Sequence, residues 1–499
     1  MRPTLLAPLA ALAATIALLV ACGGGGGAPP PAPEPGGRSD SRPNIIIVFT
    51  DDQGHADIGA QGVDPHLRTP FIDSLATEGV RMTQAYVTGP QCTPSRGALM
   101  TGVYQQRYGL DDNRYTPLPT SQATLAERLA AAGYATGMVG KWHLELDENS
   151  ADWWRRTYPE RAGETYALDK VPFEVQRGFF PDRRGFQDVF FGTMNTYWAN
   201  FDLQGQPREA GYVSDRRFRV DVVSDAAEAF VHRHARDPFF LYVAYFAPHV
   251  PLEAPDHYLA RIPADLPLRR RTALAMLAAV DDGVGRLLAA LRQHGIERDT
   301  LLVFMSDNGA PLGMTRLDAP LSDKAAPWNG SLNTPWVGEK GMLAEGGLRV
   351  PLLARWPGRI APGQVFTEPV ISLDVSATAA AAAGLGTAGL DGLDLLPALA
   401  GPGASPLPAR ALYWRFLDQA AIRKGDWKYL SVAGGGEYLF DLASPAHEQT
   451  NLAASHAGRV ASLKAELAQW SAGLPRSGWP AGTPSSAEQA WYDFYFSGP

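Results

Sequence analysis

Four stretches of the chain run apolar almost without a break, and each stops abruptly on polar residues. Asn44-Ile45-Ile46-Ile47-Val48-Phe49-Thr50 runs into Asp51-Asp52, and Ala135 to Val139 runs into Gly140-Lys141-Trp142-His143. Pro238 to Phe246 runs into Ala247-Pro248-His249, and Thr300 to Met305 into Ser306-Asp307-Asn308-Gly309. Continuous β-branched and aromatic runs of this kind predict strands buried on both faces. Between them the period changes. Ser121 to Gly133 predicts an amphipathic helix with Leu125, Leu129 and Ala132 on one face and Gly133 as its stop. From Arg271 to Gln293 the residues Leu277, Val280, Val284, Leu287 and Leu291 share a face, predicting a long helix closed by Gly295. Thr69 and Pro70 read as the N-cap and first position of a shorter helix, and Leu352–Trp356 and Asp374–Leu385 as a further strand and helix. The pattern predicts an α/β fold in which a large mixed, mostly parallel sheet lies between helices. Its ligands belong at the carboxyl ends of the strands.

The two ends of the chain behave differently. Arg2 and the apolar run from Leu5 to Val20 form a leader ending in Leu19-Val20-Ala21-Cys22, which resembles a bacterial lipoprotein cleavage box. The resemblance implies a signal peptide over 1–21 and lipidation of Cys22, which would tie the protein to a membrane in the periplasm or at the cell surface. The absence of Asp directly after Cys22 favours an outer-membrane address. Residues 22–42 are rich in Gly and Pro and read as a tether. Residues 43–400 form the expected catalytic domain. Over 401–499, short strands around Tyr413, Ile422, Tyr429 and Phe440 and a helix from Val460 to Trp470 predict a smaller α+β subdomain on an antiparallel sheet. The aromatic run Trp491 to Phe496 should dock on the body.

Charge narrows the partners. Across 499 residues, 44 Lys and Arg face 52 Asp and Glu, a net charge of −8. Nothing favours general nucleic-acid binding, and a polyanion would need a local basic site. Candidate chemistry gathers at the strand ends. Asp51 and Asp52 repel each other unless a cation lies between them, and their hard oxygens favour Ca²⁺ or Mg²⁺. Asp307 and Asn308 end a second strand with the same ligand types. With Cys22 lipidated, Cys92 is the one free cysteine. It stands before Pro94, a potential helix cap in Ser95, and the cation of Arg96, which predicts a reactive side chain at a helix N-terminus beside an anion site. Trp153, Trp154, Arg155 and Arg156 read preferentially as a helix packed on the body, and otherwise as a sugar-stacking insertion.

Cys92-Thr93-Pro94-Ser95-Arg96-Gly97-Ala98-Leu99-Met100-Thr101-Gly102 resembles the signature C-x-P-S-R-x-x-L-x-T-G of the sulfatases at every fixed position. Six further segments are similar to the same family: Pro43–Gly54, Gly140–Leu144, Pro238–His249, Ser306–Gly309, Gly338–Pro351 and Glu448–Leu452. The resemblance implies an alkaline-phosphatase-like fold and oxidation of Cys92 to formylglycine by a maturation enzyme. It implies a metal, Ca²⁺ or possibly Mg²⁺, held by Asp51, Asp52, residue 92, Asp307 and Asn308. Arg96 would stabilise the hydrated aldehyde, Lys141 and Lys340 would grip the sulfate, His143 would act as base, and His249 would face the leaving oxygen. One hydroxyl of the hydrate attacks sulfur, the alcohol departs, and loss of the second hydroxyl's proton expels sulfate. The family pattern continues with Gly where this chain has Glu145, which predicts an altered loop path. Glu345 and Arg349 should pair within their loop. The implied substrates are sulfated carbohydrates or aryl sulfates. The competing readings are a phosphodiesterase or phosphonate monoester hydrolase of the same superfamily, and a non-catalytic glycan-binding lipoprotein.

Overall fold

In the computed structural model, residues 42–161, 163–313, 321, 328–432, 436–475 and 486–496 are described. The leader, Cys22 and almost all of the tether lie outside them. The strands are β1 Asn44–Thr50, β2 Val80–Met82, β3 Ala85–Tyr86, β4 Ala135–Gly140, β5 Asp188–Thr193, β6 Thr196–Phe201, β7 Pro207–Ser214 and β8 Phe239–Ala244. They continue with β9 Thr300–Ser306, β10 Leu352–Arg355, β11 Gln364–Phe366, β12 Val370–Ile371, β13 Ala411–Phe416, β14 Gln419–Lys424, β15 Trp427–Val432 and β16 Gly436–Asp441.

Ten of these make one sheet in the order β11-β2-β10-β9-β1-β8-β4-β5-β6-β7. Its centre, β9-β1-β8-β4-β5, is parallel, whereas β10, β6 and β7 pair antiparallel with their neighbours. The apolar run of β1 is continuous because both of its faces are covered. Ile45, Ile47 and Phe49 enter one core, and Ile46 and Val48 enter the other. The first core includes residues of the helices Cys92–Thr101, Leu125–Ala131 and Ser372–Ala382. The second includes residues of Pro70–Thr77, Arg219–His234 and Leu268–Gln293. β3 and β12 form a two-stranded parallel sheet, and β13 to β16 an antiparallel meander.

That meander presses one face on the larger body. Leu412, Trp414, Phe416, Leu430 and Phe440 belong to the first core, and Trp414 Nε1 donates to Val87 O at 2.7 Å. Ile422, Tyr429 and Leu439 instead pack with Leu463 and Leu467 of the helix Ala457–Ala472. In the final helix, Ser486–Phe496, Tyr492 is fully buried and its hydroxyl accepts from Leu343 N at 2.8 Å.

Two boundaries differ from the periodic reading for local reasons. The predicted Ser121–Gly133 helix starts at Leu125, because Thr124 and Glu127 form a reciprocal capping box. The long helix begins at Leu268, just after Pro267 at its N-cap.

Candidate active site

Two neighbouring parallel strands and one helix start bring acids and a thiol to one place. β1 ends in Asp51 and Asp52, β9 runs into Asp307 and Asn308, and the helix Cys92–Thr101 starts above them. The backbone fixes this meeting. Asp307 N donates to Thr50 O at 3.1 Å, and Asp52 N to Asp307 Oδ1 at 3.0 Å. Asp52 adopts φ 61°, a left-handed conformation that Asp tolerates better than most residues. Gly309 has a steric requirement: a Cβ there would lie 1.8 Å from Gly346 O, so only glycine lets the 338–351 loop close over the site.

One ligand atom from each of Asp51, Asp52, Cys92 and Asp307 lies within 4.8 Å of the others, all fully buried. The Cys92 thiol donates to Asp51 Oδ1 at 3.3 Å and to Asp52 Oδ1 at 3.9 Å. Three cations surround the acids. Arg96 reaches Asp307 Oδ2 through Nε at 3.1 Å and Nη2 at 2.8 Å. Lys141 Nζ lies 2.5 Å from Asp51 Oδ2, and Lys340 Nζ lies 2.7 Å from Asp52 Oδ1 and 3.3 Å from Cys92 Sγ.

Burial alone would raise the Asp51 and Asp52 carboxyls. The cations and His249 overcome it, holding Asp51 well below the carboxylate range and Asp52 below it. Asp307 goes the other way: burial and the Asp51 charge raise it against Arg96. Burial also lifts the Cys92 thiol well above its ordinary value, despite Lys141 and Lys340. As an unmodified thiol, residue 92 is therefore a poor nucleophile here.

A divalent cation fits this donor set. Asn308 Nδ2 donates to Asp52 Oδ1 at 2.7 Å, while Asn308 Oδ1 is buried with no partner among the described residues. A buried amide oxygen left over beside three carboxylates is a ready hard-metal ligand. Three carboxylates and three cations balance, so an added M²⁺ gives the site net positive charge, suited to an anion.

The two histidines enter from separate loops. His249 Nε2 is 3.7 Å from Asp52 Oδ2, and its Nδ1 donates to Val250 O at 2.6 Å, which aims Nε2 at the carboxylates. His143 lies just past β4 with φ 57°; Nε2 is 3.7 Å from Asp147 Oδ2, and Nδ1 is buried without a partner among the described residues. Burial and then Lys141 push it down to about 4. The loop accommodates Glu145 by turning its carboxylate back, so that Oε2 accepts from Leu144 N at 2.9 Å.

Nine of the ten candidate residues thus meet around one centre, and His143 stands beside it: its carbonyl accepts from Thr93 Oγ1 at 3.2 Å and its ring faces Asp147. Ser95 is the correction: Gln91 occupies the N-cap position without a side-chain bond, and Ser95 Oγ is buried inside the helix with no partner. The sequence reading missed three supports. Tyr242 OH accepts from Arg96 Nη1 at 3.3 Å, and Asn329 Nδ2 donates to Asp52 O at 2.9 Å. Arg219, fully buried at a helix start, donates to His249 O at 3.1 Å and to Pro251 O at 2.5 Å, fixing that loop. A strand tyrosine and a charged residue within a helix give no local signal of such roles.

Comparison with known proteins matches this arrangement. A family model described as Sulfatase aligns with residues 43–385. Arylsulfatase A of Bos taurus is 35% identical over 435 residues, covering 83% of this chain and 80% of its own length. N-acetylgalactosamine-6-sulfatase of Mus musculus is 32% identical over 402 residues, covering 74% and 67%. The crystal structure of Ps i-CgsB in complex with k-i-k-neocarrahexaose superposes with TM-score 0.70 at 30% identity, covering 90% of this chain and 97% of that one.

Proposed function

The chain belongs to the sulfatase family and is a sulfuric ester hydrolase, and from that premise we propose how the site works and on what. The observation that carries the proposal is the buried Asp51–Asp52–Cys92–Asp307 cluster, with the unpartnered Asn308 Oδ1 beside it and three cations around it. In this reading Asp51, Asp52, Asp307, Asn308 and residue 92 hold Ca²⁺, with Mg²⁺ the alternative; the all-oxygen set supplied by Asp and Asn suits either. When present, the metal and the oxidised residue 92 supply an oxygen nucleophile at neutral pH, which neither a buried thiol nor water provides.

The remaining work falls to the protein's own side chains. Arg96 holds Asp307 in place, and its guanidinium also reaches the carbonyl of Lys141 at 3.3 Å, tying the nucleophile helix to the β4 loop. Lys141 and Lys340 are occupied by Asp51 and Asp52. Once a cation takes over those carboxylates, both ammonium groups are available to sulfate oxygens. His249 exchanges a proton with the departing alcohol through Nε2, and the buried, unprotonated His143 takes one on the residue-92 side.

The substrate proposed is a sulfated carbohydrate. Support comes from relatives whose names specify a sugar sulfate, and from the oligosaccharide in the Ps i-CgsB complex. Comparison of sulfate with phosphate and phosphonate esters separates this reading from a phosphorus-ester hydrolase. Mass spectrometry of the Met82–Arg96 peptide, from a host able to mature sulfatases, tests the nucleophile. The expected peptide is about 18 Da lighter than its cysteine form; an unmodified thiol in active enzyme refutes the assignment. The lipid-anchored, exported address is likewise proposed, on the leader residues alone, and a Cys22→Ser variant should leave the membrane fraction.

A further inference from the structure

One row of residues crosses the sheet level with the mouth of the site. Gly140, the last residue of β4, pairs with Phe191 of β5, Phe191 with Trp198 of β6, and Trp198 with Tyr212 of β7. Directly paired residues point to the same face. The row therefore begins where the Lys141–His143 loop begins and ends at the sheet edge, about 14 Å away at three strand spacings.

The side chains become progressively exposed along it. Phe191 and Trp198 are buried, whereas Tyr212 is 58% exposed and Phe173, beside it, 41%. Ring centroids lie 5.1 Å apart for Trp198 and Tyr212, 5.7 Å for Phe173 and Trp198, and 6.4 Å for Phe173 and Tyr212. Trp198 Nε1 is buried with no partner among the described residues. These rings make a rigid aromatic platform with two accessible members, held from beneath by packing.

Glu145 connects the platform to the chemistry. It follows His143 by two residues on the loop that leaves the start of this row; burial raises its carboxyl to about 7, and the Tyr212 hydroxyl is raised by burial first and by Glu145 second. Glu145 Oε2 is used by Leu144 N, and among the described residues no hydrogen bond to Oε1 is present. The platform's nearest cation, Arg177, stands over Trp198 at 4.8 Å and is already paired with Asp182 at 2.5 Å. A half-buried carboxyl with a spare oxygen, at the loop end of this aromatic row, suits a sugar that presents hydroxyls.

Resting on the carbohydrate reading above, we propose that Glu145, Tyr212 and Phe173 form a subsite for a neighbouring sugar of an oligosaccharide substrate. The rings stack on its apolar face, and Glu145 hydrogen-bonds a hydroxyl on the side towards the catalytic loop. The distance to the catalytic loop is bridged by a di- or trisaccharide and not by a single ring.

The test compares 4-nitrophenyl sulfate with neocarrahexaose and with hexasaccharides from glycosaminoglycan digests, on the mature enzyme. Tyr212→Ala and Phe173→Ala should each raise KM for the hydrolysed hexasaccharide about tenfold relative to any change on 4-nitrophenyl sulfate, with kcat little altered. Tyr212→Phe should restore the oligosaccharide KM, and Glu145→Ala should raise it severalfold with little change on 4-nitrophenyl sulfate. Equal effects on both substrate types, or none, overturn the subsite. A Tyr212→Ala enzyme that changes from dimer to monomer at unchanged oligosaccharide KM assigns the platform to a second copy of the chain, and also overturns it. Wild-type enzyme that cleaves 4-nitrophenyl sulfate but no hexasaccharide refutes the carbohydrate reading itself, and the subsite with it.

Discussion

The loop from Gly338 to Pro351 serves two buried groups of charge that resemble each other in composition and differ in what they lack. Lys340 reaches the centre of Asp51, Asp52, Cys92 and Asp307. Five residues on, Glu345 enters a second group with Arg349, Arg423, Lys428 and Glu448, all but Arg349 at 1% exposure or less. There each charge faces a counter-charge or a strong donor. Glu345 accepts from Tyr86 OH at 2.7 Å, from Lys428 Nζ at 2.9 Å and from Arg349 Nη1 at 3.2 Å, and Lys428 also lies 2.9 Å from Glu448. In the first group Asn308 Oδ1 and the neighbouring His143 Nδ1 have no hydrogen-bond partner among the described residues, whereas the one such atom of the second group, Glu448 Oε1, still lies 2.9 Å from the Lys428 ammonium. Buried charge that is internally matched joins the meander to the body. Buried charge with polar atoms left over is arranged for something that arrives later.

Removing what arrives should break the first group and spare the second. Exhaustive chelation is expected to lower kcat/KM by about 10³-fold or more, with restoration by Ca²⁺ better than by Mg²⁺. Melting temperature should also fall on chelation and rise with added metal, because binding stabilises only the folded chain; calorimetry with each ion checks it. Lys428→Met inverts the pattern. It strands Glu345 and Glu448 with one cation fewer and should destabilise the protein by about 3–5 kcal/mol in urea unfolding. Activity per folded molecule should be retained, and a large kcat loss at full folding would show the two groups to be one.

The smallest effect is a pH limb. Burial would raise Glu345, but Lys428, Arg349 and Arg423 hold it down to about 2 from 4.5. The folded state therefore binds that proton more weakly than the unfolded state. Its stabilisation is present above about pH 4.5 and is lost as pH falls towards 2. Glu345→Gln should flatten this part of the stability profile without touching the metal response.

Much of the site was legible because its residues follow strand ends, and strands buried on both faces announce themselves by unbroken apolar runs. Asp51, His249 and Asp307 are found this way although up to 256 residues separate them. What stayed hidden depends on three-dimensional neighbours. Ser95 has the chemistry of a cap, yet the helix already starts at Cys92, leaving its hydroxyl inside. Arg219 sits in a helix with no motif, and only the folded chain brings it to the carbonyl of His249. Whether β10 runs parallel or antiparallel is a matter of connection, invisible in the apolar run Leu352–Arg355. The Glu145–Tyr212 relation joins a loop to an edge strand, and neither sequence segment carries a periodic signal for it.

The pairing of β1 with β9 has a consequence for timing. Residue for residue, Asn44–Thr50 waits for Thr300–Ser306 before the centre can close. About 210 residues are synthesised between Cys92 and the end of β9, which at about 5–20 residues per second takes about 10–40 s. In the finished fold Cys92 is 1% exposed. Under the formylglycine proposal, a maturation enzyme would reach this thiol against a clock set by the strand order, and anything that hastens the meeting of β1 and β9 would shorten the time it has.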